Sequence, residues 1–241
     1  MAYSSRNIIV GAAAVFLSNA DSLSGSNWDS TSKPAAVDGT PYADTLEATA
    51  ASATGWRGTG YTSDGVEFAY TPDYGEVEVD QLLDAAKLFK QKMTATIKTT
   101  FAEATLENLI VVWAQGGSSL RWTGGSTTAT DITGRTVDAT KDFAGTTVPA
   151  NEQELGIEAG ALGVEPVERQ IVFVGNSPRT ASGNKKRERI YHVRRALSVE
   201  ATTHSLKRNE ATLFPVTFRL LPSTVSGAEY GTIRDRVITA A

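Results

Sequence analysis

From Lys87 to Gln115 the chain reads KLFKQKMTATIKTTFAEATLENLIVVWAQ, and its hydrophobic period changes partway along. Phe89, Gln91, Met93, Ala95, Ile97, Thr99 and Phe101 alternate with Lys90, Lys92, Thr94, Thr96, Lys98 and Thr100. A period of two with one polar face predicts a half-buried strand. The β-branched residues Thr94, Thr96, Ile97, Thr99 and Thr100 favour the same conformation. Leu106, Leu109, Ile110 and Trp113 then follow at helical spacing and form one apolar stripe. Burying four such side chains is worth roughly 6–12 kcal/mol before entropy is subtracted. The stripe therefore needs a sheet to lie on, and the Lys/Thr face of the strand is free to line a channel or a neighbour. In a chain rich in Thr, Val and Gly, this predicts a mainly β architecture. The expected form is a β-sandwich or partial barrel with one flanking α-helix.

The 241 residues suffice for one large β domain, expected to span 1–241. Without cysteine, disulfides, thiolate metal sites and a cysteine nucleophile are excluded. No apolar run approaches the roughly 20 residues of a membrane helix, so no membrane partner is expected. Net charge is −4 and unevenly distributed. Arg179 to Arg219 holds ten basic and three acidic residues, whereas Asp64, Glu67, Asp73, Glu76, Glu78 and Asp80 form a block with no base. Two such patches suit different partners, or each other on neighbouring copies.

Asn7–Leu17 (NIIVGAAAVFL), preceded by Arg6 and followed by Ser18-Asn19-Ala20, is open to two readings: a secretory signal, or a buried first strand. The stretches 19–54 and 116–150 are long, polar and loop-like, with Trp28 and Tyr42 in the first as candidate docking anchors. GWRGTG (55–60) is expected to turn. Asp64-Gly65 before VEFAY is a hairpin signal, and Pro72–Gly75 a further turn. Glu76, Glu78 and Asp80 are expected on one strand face. Residues 81–89 read as a short helical or irregular turn, and Gly116-Gly117 as the helix C-cap. Leu120–Trp122 and Thr136–Phe143 read as short edge strands, and Val167–Val174 and Arg189–Thr203 as longer strands. In Ala211–Leu221, Phe214, Val216, Phe218 and Leu220 share a face, and Pro215 implies an edge or a bulge. Pro222 and Ser223 end it, and the tail that follows is short.

Catalytic chemistry finds little support. His192 and His204 lie in no zinc-ligand spacing, and neither a Gly-x-Ser-x-Gly elbow nor a phosphate-binding glycine loop occurs. Glu76, Glu78 and Asp80 offer carboxylates for Ca²⁺, but an acidic solvated or partner-facing edge accounts for them better. KKRERIYHVRR (185–195) is basic with an interleaved tyrosine, yet lacks a recognition helix in an acidic chain. It reads as a solvated or subunit-facing strand. Lys185, Lys186, Arg187 and Arg189 are thus candidate assembly contacts, alongside Glu67, Glu76, Glu78 and Asp80.

Four segments together resemble the major tail tube proteins of long-tailed, non-contractile (siphovirus-type) bacteriophages. They are RNIIVGAAAVFLS, GYTSDGVEFAYTPDYGEVEVDQ, FAEATLENLIVVW, and the closing pair RERIYHVRRALSV and ATLFPVTFRLLPS. The resemblance implies a β-sandwich with a flanking helix. It implies hexameric rings stacked head-to-tail into a hollow tube whose inner strands join around a lumen through which genomic DNA passes. It also implies tape measure and tail terminator or tip proteins as partners, assembly in the host cytoplasm, residence in the virion, and neither cofactor nor catalysis. The alternative reading is a secreted or virion-surface β-domain that binds a ligand through its long loops.

Overall fold

The computed structural model describes residues 11–18, 34–50, 55–78, 80, 85–115, 120–122, 129–130, 136–137, 153–157, 159, 162, 166–178, 186–200, 203–206 and 208–238. In chain order the elements are β1 (Ala14–Ser18), α1 (Tyr42–Glu47), β2 (Trp56–Gly58), β3 (Thr62–Val77), β4 (Lys87–Phe101) and α2 (Leu106–Val112). They continue with β5 (Leu120–Trp122), β6 (Ala129–Thr130), β7 (Thr136–Val137), β8 (Gln153–Leu155), β9 (Arg169–Asn176), β10 (Arg187–Ser198), β11 (Phe214–Leu220) and β12 (Gly231–Val237).

The protein is mainly β, and its body is one eight-stranded antiparallel sheet rather than two stacked ones. The strand order is β2-β1-β9-β10-β11-β4-β3, with β12 paired to the first part of β10. Two short pairs, β5–β8 and β6–β7, stand outside it. Val15 and Leu17 of β1 face one side of the sheet with Ile171, Phe173, Ile97, Phe101, Phe218 and Leu220. Phe16 faces the other with Val172, Val174, Ile190 and Trp56. Such strands read as unbroken apolar runs because both faces are covered, which is why the V-F-L of β1 is buried throughout. The sheet curls, so that Val66 and Phe68 of β3 line the same slot as Phe173 of β9 and Tyr191 of β10.

α2 covers the first face. Thr105 caps it, its Oγ1 accepting from the Asn108 N–H at 3.2 Å. The predicted stripe is only part of its buried surface. Leu109 and Ile110 are buried and Leu106 and Trp113 half-buried, but Asn108, Val111 and Val112 are buried too. The helix is therefore embedded rather than laid on as an outer cover. Asn108 is tolerated there because Nδ2 donates to the Thr59 and Glu103 carbonyls, each at 2.9 Å, and Oδ1 accepts from Arg57 at 3.1 Å. The predicted glycine cap lies outside the described residues. Ala114 itself takes the left-handed position at φ 54°, with Ala114 N–H bonding to Val111 O and Gln115 N–H to Ile110 O.

Several expectations are corrected. The stretch 19–54 contains a second helix, α1, which packs Tyr42 and Leu46 onto the second face. GWRGTG contains a strand, β2. Asp64-Gly65 is not a hairpin turn but a bulge inside β3, between Ser63↔Thr100 and Val66↔Thr99, with both residues at positive φ. Pro72–Gly75 does not turn either: β3 runs through it, as an edge strand tolerates proline. β3 ends at Val77, so Glu78 and Asp80 lie beyond the strand instead of sharing its face with Glu76. β11 is interior rather than an edge. Its ladder to β10 covers only Phe218–Leu220, however, so Pro215 sits where β4 is the one paired neighbour. On the tail, where no element is expected, the chain forms β12, which extends the sheet along β10.

Candidate functional site

The strand predicted from period two does form, and its first part, from Lys87 to Lys92, stands out from the body. β3 and β4 pair out to Val77↔Lys87, with a second irregularity between Asp73↔Lys92 and Tyr74↔Lys90 that leaves Gln91 without a partner in the ladder. Ala95, Ile97 and Phe101 are buried in the core, whereas Tyr70, Tyr74, Val77, Leu88 and Phe89 are exposed. From Tyr70 to Val77 the hairpin extends about 25 Å at strand rise. Tyr70 is 56% and Leu88 59% exposed, values far above those of the core. A two-stranded hairpin is marginal in water by itself, so this arm depends on its own cross-strand contacts and on whatever it packs against.

Those contacts are specific. Glu67 stands opposite Lys98, and Asp73 opposite Lys92; opposite charges facing each other favour the pairing. Lys90 Nζ lies 3.4 Å from the Tyr70 hydroxyl and 5.8 Å from its ring centroid. Phe89 lies over Gly75. The residues that face the acidic stretch within the chain are therefore the lysines of β4. The signal was visible at the even positions of that strand, where it had been read only as a polar face.

The part of the basic block that lies on β10, by contrast, is not a solvated strand. β10 lies at the centre of the sheet, between β9 on one side and β12 and β11 on the other. Buried Glu188 meets Arg236 at 2.7 Å, an ion pair rather than a well-aligned hydrogen bond, and accepts from the Tyr42 N–H at 3.0 Å. Arg236 also donates to the Val37 and Thr40 carbonyls, fastening the segment before α1. Arg189 grips Asp235 through two bonds of 2.6 and 2.7 Å, which hold the Asp235 carboxyl below its ordinary range. A bulge between Val193 and Ala196 leaves Arg194 donating to the Ala228 carbonyl and Arg195 to Glu168 and the Pro222 carbonyl. His192 is 2% exposed, with Nε2 3.1 Å from Gln170 Oε1 and Trp56 edge-on at 6.0 Å.

The remaining candidates separate accordingly. Lys186 is exposed and Arg187 half-buried at the start of β10, while Lys185 and Trp28 lie outside the described residues. Tyr42 is no surface anchor. It is 1% exposed, its hydroxyl donates to the Pro34 carbonyl at 2.9 Å, and burial pushes its pKa well above the ordinary value. Glu67, Glu76, Glu78 and Asp80 are exposed on or just beyond β3. In the order of the sheet two strands, β11 and β4, lie between β3 and β10.

Among the described residues no group of three or more His, Asp or Glu side chains is placed to hold a metal ion, Glu76, Glu78 and Asp80 included. Asp64, Glu67, Lys98, Glu200 and Thr217 line a cleft of about 330 Å³ beside the bulge. In it Thr217 Oγ1 donates to Glu200 at 2.6 Å and Thr99 Oγ1 to the Gly65 carbonyl at 2.9 Å. Elsewhere, burial and then Arg169 pull Arg57 down to about 10, and its guanidinium is spent on Asn108 and the Glu107 carbonyl. No helix among the described residues is long and apolar enough to cross a membrane. No protein-family model and no curated protein matches the chain.

Proposed function

We propose that this chain is the structural subunit of a hollow phage tail tube, built as stacked hexameric rings around a lumen that passes DNA. The observation that carries the reading is the β3–β4 arm. It is a long hairpin exposed on both faces and rich in aromatic and aliphatic side chains. Exposed apolar surface concentrated on one element marks a surface meant to be covered. Further support comes from β3 at the end of the curled sheet, which among the described residues pairs with β4 alone and so offers an edge that association would cover. The net charge of −4 agrees with a conduit through which DNA slides without sticking. The tape measure and tail terminator or tip proteins complete this reading, and the finished tube resides in the virion.

Negative-stain microscopy and light scattering of the purified chain, across concentration and salt, test the proposal. Rings or tubes are expected. A monodisperse monomer under every condition overturns it.

A further inference from the structure

The curled sheet leaves a slot between β3 and the β9–β10 pair. Val66 and Phe68 form one wall, and Phe173, Gly175 and Tyr191 the other. No backbone ladder joins the two walls, because β3 pairs with β4 alone among the described residues. The slot has a volume of about 200 Å³, and none of its described lining residues is charged. Phe173 is buried, but Phe68 is 45% exposed. Phe68 shares a strand face with Val66, which packs against the core, so its exposed ring continues that core without a cover.

The slot also reaches the start of the described chain. Gly11 and Ala13 line it, with Gly11 beside the Asn176 side chain. Gly11 has φ 143°, a value open to glycine, and the chain bends there ahead of β1. Ile8, Ile9 and Val10 come immediately before it and lie outside the described residues. Extended chain spans at most about 3.6 Å per residue, so these three residues stay within about 11 Å of a residue that lines the slot.

We infer that Ile8, Ile9 and Val10 dock in the slot of their own chain and so join β3 to the β9–β10 pair. An open apolar slot and an aliphatic run at its rim both stay in water unless they meet. Tethering favours the chain's own segment over any other occupant. A short link holds the run near the slot at an effective concentration of about millimolar, which a second copy has to match in free solution. The uncharged lining selects in the same direction. Ile8, Ile9 and Val10 carry no charge, whereas Glu78 and Asp80 beyond β3 would each bring a carboxylate out of water. Docking also acts on the arm. Phe68 lies two residues before exposed Tyr70 on β3, so a run packed on Phe68 fixes the root of the arm to the body. The inference stands apart from the tube reading, since it concerns a contact within one chain.

The chain contains no cysteine, so introduced thiols report contacts without background. Phe68→Cys is combined in turn with Ile8→Cys, Ile9→Cys and Val10→Cys, and each double variant is oxidised with copper phenanthroline. The expected result is a disulfide within one chain for at least one pair, seen as a faster-running monomer on a non-reducing gel. Dimers alone place the segment in the slot of a second copy, and overturn the inference. Folded double variants that form no disulfide in any of the three pairs overturn it too. Should the double variants not fold, thiol labelling decides. Val66→Cys is labelled with Ellman's reagent in the full chain and in a form with Ile8, Ile9 and Val10 changed to serine. Labelling is expected to become several times faster in the serine form, while a thiol at Val216, buried on β11, stays protected in both. Equal rates at Val66, or an equal gain at Val216, overturn the inference.

Discussion

The ring of Phe89 lies over Gly75 on the opposite strand of the arm, so close that a Cβ added to Gly75 meets the ring's Cζ at 2.6 Å. The glycine and the aromatic are one feature: the missing side chain is the floor on which the ring rests. Replacing glycine in a strand by alanine ordinarily stabilises. Here Gly75→Ala is expected to destabilise the arm, by about 1 kcal/mol, because the ring is displaced. In a Phe89→Ala background the same change becomes neutral or favourable. Hydrogen exchange of the β3–β4 amides in the double-mutant cycle measures the coupling. Equal effects of Gly75→Ala in both backgrounds refute the pairing.

Ala114 closes α2 in a left-handed conformation that costs an L-residue about 1–2 kcal/mol. Glycine removes that cost, and the helix-closing bonds are made by the backbone in either case. Ala114→Gly is therefore expected to raise the stability of the protein by about 1 kcal/mol, slightly less after the added entropy of the unfolded chain. Chemical denaturation at constant slope provides the measurement, and a lower midpoint contradicts the argument.

These two positions also show what sequence reading can and cannot reach. The Ala95–Phe101 half of β4, the helix after it and the Phe214–Leu220 alternation were legible because there the apolar pattern falls on residues that are buried. β12 escaped notice because GTIRDRV has little apolar alternation; backbone pairing to β10 defines it. Pro72–Gly75 resembled a turn because proline and glycine mark turns, but an edge strand bridged by Phe89 accommodates both. The interior position of β10 was hidden because the partners of its charges are distant in sequence. Glu188 waits for Arg236 and Arg195 for Glu168. The arm itself was half-read: its acids and its lysines were both noted, but not their position on facing strands.

Glu188 and Arg236 form the fastening of α1. Removing one member of a buried ion pair leaves the other desolvated and unpaired, a loss of about 3–5 kcal/mol. Arg236→Ala also abandons the bonds to the Val37 and Thr40 carbonyls. The expected outcome is a large fall in stability together with loss of amide protection across 42–47. Glu188→Gln keeps an acceptor for the Tyr42 N–H and should cost less. Intact protection of α1 in Arg236→Ala disproves the fastening role.

Asp235 sets the acid limit of the β10–β12 pairing. Its folded-state pKa lies below the ordinary 3.8, chiefly through the hydrogen bonds from Arg189. A carboxyl whose pKa falls on folding contributes stability that is fully present above the unfolded value. That stability is lost as pH drops through the folded value. The effect is thus confined below about pH 4. Both side chains are partly exposed, and exposed ion pairs are screened, so the contribution is small and diminishes with salt. Asp235→Asn is expected to flatten the stability profile in that acid window while leaving its shape between pH 5 and 8 unchanged. Urea titrations of both proteins at low and high salt make the comparison. An acid limb of undiminished slope in Asp235→Asn assigns the acid sensitivity to other carboxylates.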